Sequence, residues 1–149
     1  MRLGVMLNDP EEEHSCFADN THNDHFYNGV GIQSVYLGSY TGVDGTITSG
    51  PSLSELVAEA DAALDAEMRM KLSDAVLALG RIKTAAEAGF TYDMMLERGN
   101  DAGEALIMGG VNGLIDQTRS IERVIAVLGA DGIEIEGSDS LDNPDAVFQ

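Results

Sequence analysis

The sequence predicts an all-α protein, an up-and-down arrangement of four-helix-bundle type that ends in an irregular acidic C-terminal tail. Three observations carry that expectation. Aromatic residues make up only 5% of the chain and Trp is absent, whereas Ala, Leu and Met are plentiful, a mixture suited to helices packed on helices. Leu64, Met68, Leu72, Ala75, Leu79, Ile82 and Ala86 recur at intervals of three and four, which draws a single apolar stripe. Ile107, Val111, Leu114, Thr118, Ile121, Ile125 and Leu128 are spaced 4, 3, 4, 3, 4, 3, a heptad seam. With 149 residues, 44% of them apolar, the chain is long enough for a single domain over 1–149 with one sizeable core.

The elements follow in order. Leu3, Val5, Met6 and Leu7 form an apolar opening with no N-cap before it, which suggests an upstream partner outside the chain. Pro10 and the run Glu11-Glu12-Glu13 interrupt it. A helix is expected from Asn20 or Thr21 to about residue 40, with Asp24 in its first turn and Phe26, Val30, Ile32, Val35, Tyr36, Leu37 and Tyr40 along it. TGVDGTITSGPS, residues 41–52, reads as a loop or a short hairpin. Ser52 with Glu55 forms a capping-box pattern that opens a short helix to about Ala60. Asp61 then starts the long striped helix, and Gly89 is placed to stop it in a left-handed conformation. Thr91 is the expected cap of a brief helical turn that Gly99-Asn100 ends. Gly129 and Gly132 close the heptad helix, and the acidic tail beyond it has Val147 and Phe148 as anchors.

The charge balance narrows the function. Asp and Glu number 26 against 8 Lys and Arg, a net charge of −18, so nucleic acid and anionic membrane surfaces repel the chain. Metal ions and basic partners fit this balance, as does a simply well-solvated acidic surface. Cys16 is the only cysteine, which rules out a disulfide within the chain. The opening MRLGVMLNDPEEE lacks the pattern of a signal peptide, and no stretch approaches the roughly 20 apolar residues of a transmembrane span.

Candidate chemistry gathers in EEEHSCFADNTHNDHF, residues 11–26, which holds all three histidines, His14, His22 and His25. On a helix His22 and His25 lie one turn apart on one face, a spacing at which two imidazoles share a metal. Glu13, Asp19 and Asp24 are the available carboxylates, and imidazole with carboxylate suits iron or zinc. The bland reading is that histidines in an Asn- and Asp-rich turn cap a helix or bond to backbone carbonyls. Gly109, Gly110 and Gly113 inside the last helix each cost about 1 kcal/mol relative to Ala, which points to close approach by another backbone, such as the His-rich segment, or to a kink. No phosphate-binding loop or nucleophile elbow is present, and no acid pair stands out from so much Asp and Glu.

Residues 11–40 (EEEHSCFADNTHNDHFYNGVGIQSVYLGSY) and 136–149 (EGSDSLDNPDAVFQ) resemble the C-terminal half of the imelysin family, which includes the iron-regulated protein A group. GPSLSELV and QTRSIERVIAVLG fit the same region. The resemblance implies export to the periplasm or outer membrane, a fold of two similar helical bundles, and a role in iron or haem uptake or as a metallopeptidase. The family's metal-type motif, Gly-x-His-x-x-Glu in the N-terminal half, is absent: His14 is followed three residues on by Phe17, His22 by His25, and His25 by Asn28. No catalytic residue is therefore carried over. The matching positions are His14, Cys16, Phe17, Asp19, Asn20, Thr21, His22, Asp24, Tyr27 and Asn28, which the resemblance places toward the interface between halves.

Three functions follow as expectations. The first is a binding half-domain of an iron-regulated envelope protein, with His14, His22, His25, Asp19 and Asp24 toward a metal and Cys16, Phe17, Asn20, Thr21, Tyr27 and Asn28 toward a ligand or interface. The second is the non-catalytic half of a metallopeptidase. The third is a structural segment that only caps helices and packs two halves together. The expected partners are an N-terminal imelysin half or a second copy, and a metal ion.

Overall fold

The stripe at 64–86 becomes the centre of the molecule. In the computed structural model, which describes residues 1–130, that segment is helix α4 (Ala62–Glu87), flanked by α2 (Thr21–Leu37) and α6 (Asp101–Val127). Among the described residues, three short helices join them in the all-α bundle: α1 (Arg2–Leu7) on α6, α3 (Leu53–Ala60) on α4, and α5 (Tyr92–Leu96) on α6. The tail, with Gly132, Val147 and Phe148, lies outside the described residues.

Each residue of the α4 stripe is buried, from Leu64 through Ala86. A buried Leu contributes about 2 kcal/mol by leaving water, so this one face supplies much of the cohesion. It serves two adjoining clusters. Leu79, Ile82 and Ala86 pack with Tyr92, Met95, Leu96, Ile107 and Val111, while Leu64, Met68 and Leu72 pack with Tyr36, Val57 and Val124. In the second cluster the Tyr36 hydroxyl donates to Asp65 Oδ1 at 2.9 Å and Ser54 Oγ donates to the same oxygen at 2.6 Å. That buried carboxylate ties α2, α3 and α4 together, and its hydrogen bonds offset the cost of burying it.

The local signals act largely as read. Ser52 and Glu55 form both halves of the capping box, and Asp61 Oδ1 accepts from the amides of Ala63 and Leu64 at 3.0 Å. Residues 39–49 form a hairpin of β1 (Ser39–Thr41) and β2 (Ile47–Ser49), with Tyr40 opposite Thr48. Tyr40 therefore belongs to a strand and not to α2. The helix ends at Leu37 because Gly38 turns left-handed at φ 61° and the Gly50 amide then donates to the Gly38 carbonyl at 2.9 Å. Thr91 precedes α5 as expected, but its hydroxyl donates to Asp93 and makes no cap bond to the backbone.

The last helix differs most from its reading. It starts at Asp101, capped by Asn100 Oδ1, which accepts from the Gly103 amide at 3.1 Å. Its buried face includes Gly103, Ile107, Gly110, Val111, Gln117, Ser120 and Val124, whereas Thr118 and Ile125 are half-buried and Leu128 is exposed. The seam is thus rotated toward the glycines. A Cβ on Gly113 would stand 3.1 Å from Ala75 Cα, and one on Gly110 would stand 3.1 Å from Ile82 Cδ1. The close neighbour is α4 and not the His-rich segment, and the helix runs unbroken through 109–113. The apolar opening also finds partners within the chain, since Met1 and Val5 pack on the Tyr92–Ile107 cluster.

Candidate functional site

Residues 11–20 fold as a loop with one turn of 3₁₀ helix, Cys16–Ala18, laid against the start of α2. Two hydrogen bonds from Ser15 hold it there. Its amide donates to Thr21 Oγ1 at 2.8 Å, and its hydroxyl donates to Asp24. Thr21 is fully buried, and its hydroxyl is satisfied by accepting from Ser15 and by a hydrogen bond to the Glu13 carboxyl. Asn20 forms the N-cap position, and its Oδ1 accepts from Asn23 Nδ2 at 2.8 Å. Asp24, in the first turn, also suits the positive end of the helix.

The loop folds His14 back over α2. The ring that approaches His25 is that of His14, with centroids 6.1 Å apart. Tyr92 from α5 reaches the other side of His25, at 5.7 Å between centroids. His22 turns to Asn23, whose Nδ2 lies 3.1 Å from His22 Nε2.

Beneath the loop, polar atoms are buried without a partner among the described residues: Glu13 Oε2, His22 Nδ1, His25 Nε2 and the Tyr92 hydroxyl. Burial pushes the His25 imidazole down to about 4, helped by the positive charges of the Met1 amine and His14, so it is neutral at pH 7. Burial also raises the Glu13 carboxyl, against a hydrogen bond from Thr21 that lowers it and with the negative charges of Asp19 and Asp93 reinforcing the rise. The Tyr92 phenol is raised by burial and by the Glu13 charge. A neutral imidazole, a carboxyl with a high proton affinity and a protonated phenol therefore adjoin one another. Each has hydrogen-bonding or ligating capacity that the protein leaves unused.

The other sequence candidates divide by exposure. Cys16, Phe17 and Asp19 stand on the surface, Phe17 with its ring fully in solvent. Asn20, Asp24, Tyr27 and Asn28 line one side of a cleft of about 570 Å³ under His14. Asn23 joins them on α2, and Lys83 and Glu87 of α4, paired with each other, form the opposite wall. Among the described residues, no three or more His, Cys, Asp or Glu side chains are gathered as a metal ion needs.

Sequence reasoning missed Ser15, Asn23, Tyr92, Lys83 and Glu87. Asn23 had a signal, the helical spacing of 20, 23, 24, 27 and 28 on one face of α2. The residues from α4 and α5 had none, because only the folded chain brings them to this end of α2.

The family model described as imelysin, peptidase M75, matches residues 1–121. The match ends within α6, so the segment 136–149 lies outside it. No curated protein matches the chain.

Proposed function

The chain belongs to the imelysin family, and we propose that it acts as a binding bundle of the cell envelope, in which the Glu13–His25 segment offers part of a metal or ligand site in iron uptake. The observation that carries this reading is the set of buried, unpartnered polar atoms on Glu13, His22, His25 and Tyr92. Evolved cores rarely leave such atoms unpaired, and each costs about 1–3 kcal/mol unless water, an ion or a ligand supplies the missing partner. Neutral imidazole and carboxylate suit iron or zinc, and a phenol adds an oxygen ligand once its proton is displaced.

The residues present do not make a complete metal centre. A hydrolytic zinc takes three protein ligands and an open position, and the described residues gather no such set. A metal held here completes its shell from a companion half, a second copy or the cargo itself. The same argument weighs against the chain's working alone as a metallopeptidase.

The test is elemental analysis of the purified chain, followed by titration with zinc and iron. Metal binding in stoichiometric amount that disappears in a His22→Ala, His25→Ala double variant is the expected result. A parent chain that takes up no metal, and whose double variant is simply less stable, would leave the histidines with a packing role.

A further inference from the structure

The cleft beside the buried cluster has a chemistry of its own. Asn20, Asn23, Asp24, Tyr27 and Asn28 recur on one face of α2, so every side chain that α2 gives the cleft carries a group able to hydrogen-bond. Small-molecule clefts of about 300–1,000 Å³ are ordinarily lined by apolar groups with a few polar ones. This one, at about 570 Å³, has the reverse composition.

Its charges are mostly spent within the protein. Lys83 is paired with Glu87, and Asp24 accepts from Ser15. What remains is two carboxylates beside one ammonium and the His14 imidazole, together with amide groups that donate and accept side by side. The Tyr27 ring is 60% exposed and held edge-on by Phe26, with centroids 5.1 Å apart at 74°. It is a fixed apolar plate with a hydroxyl at its tip, next to a row of amides.

From this juxtaposition we infer that the cleft is a saccharide site for a neutral or amino sugar of one or two rings. Vicinal hydroxyls each donate and accept, which matches carboxamides and carboxylates presented at helical spacing. The C–H face of a pyranose needs an aromatic plate, which Tyr27 supplies. The Asp24 and Glu87 carboxylates and the chain's net charge of −18 disfavour uronic acids and other anionic sugars. The inference gives a ligand class to the binding function proposed above but needs no metal, so the two can fail separately.

The test is a titration of the full chain, labelled with nitrogen-15 and kept in EDTA, against glucose, glucosamine and galacturonate. The reporters are the side-chain amide resonances of Asn20, Asn23 and Asn28. Saturable shifts are expected with glucose and glucosamine, with a Kd on the order of 1 mM, and galacturonate is expected to be at least about tenfold weaker. Tyr27→Ala and Asn28→Ala change exposed positions and should keep the helical circular-dichroism signal while weakening glucosamine at least about tenfold. Saturation transfer from protein to glucosamine in the parent chain checks the same contact without any variant. The inference is overturned by shifts that fail to saturate, by galacturonate binding as well as glucosamine, or by folded variants that bind unchanged.

Discussion

His25 shows how far one side chain is tuned by its surroundings. Its neighbours are the rings of His14 and Tyr92, its Nε2 has no partner among the described residues, and burial lowers its imidazole from the ordinary 6.5 to about 4. The unfolded chain therefore binds the proton more readily than the folded one between these values. Stability from neutral His25 is fully present above about pH 6.5 and is lost as pH falls toward about 4. The ring is only partly buried, so the loss is expected at about 2 kcal/mol after allowance for solvent screening. Glu13 acts in the opposite sense, since its raised carboxyl favours the folded state as protons are added. Comparison with His25→Gln separates the two, because Glu13 is common to both proteins. Urea unfolding at pH 7, 5.5 and 4 should show the parent losing its advantage over His25→Gln across that window, and parallel curves would mean that the ring is solvated. The sequence marked the three histidines, but it paired His25 with His22, because spacing along a helix was the only geometry available. The actual neighbour comes from a loop that doubles back on Ser15 bonds to Thr21 and Asp24.

Among the elements, legibility depended on whether side chains or their absence set the contact. The α4 stripe was readable to the residue because large apolar side chains mark its buried face. The seam of α6 was misread because α4 approaches where there is little to see, at Gly110 and Gly113, and because Gln117 and Ser120 are buried polar residues that an apolar count ignores. Those small residues let two backbones close up, which positions matter more than pattern would suggest. Two glycines on the same helix should consequently respond with opposite sign. A Cβ at Gly109 meets nothing within 4 Å among the described residues, so Gly109→Ala is expected to stabilise by about 1 kcal/mol through helix propensity alone. A Cβ at Gly103 would stand 2.4 Å from Met95 Cα and from the Met95 carbonyl oxygen, both backbone atoms that cannot swing aside. Gly103→Ala is expected to cost about 1–3 kcal/mol as α5 is pushed off α6. Thermal unfolding of the two variants decides it, and two shifts of the same sign would mean that α5 is not held against α6.

At the scale of the whole molecule, net charge opposes both compactness and association. The −18 total sets 26 acidic groups against 8 basic ones, and 6 of those acids lie in residues 131–149, where there is no base. Among the described residues Lys83–Glu87, Arg69–Asp65, Lys71–Asp116 and Arg123–Glu67 relieve part of it by joining or bracing helices, each pair partly exposed and worth little individually. At about 10 mM salt the Debye length is about 30 Å, comparable with the protein itself, and at about 0.15 M it falls to about 8 Å. Added NaCl should therefore raise the midpoint of thermal unfolding by several degrees, with a change of about 1 kcal/mol sufficient to do so. The same screening bears on the companion-half or second-copy partner proposed for this bundle. Phe26, Val76, Leu77, Ala85 and Ala88 line an open, largely apolar groove along α2 and α4, and like charge is what keeps two such faces apart. Light scattering at low salt should give a monomer, and at about 0.5 M NaCl a mass that grows with protein concentration. A monomer under both conditions would show that the exposed groove is not adhesive toward a second copy, and would leave a companion bundle as the partner to look for.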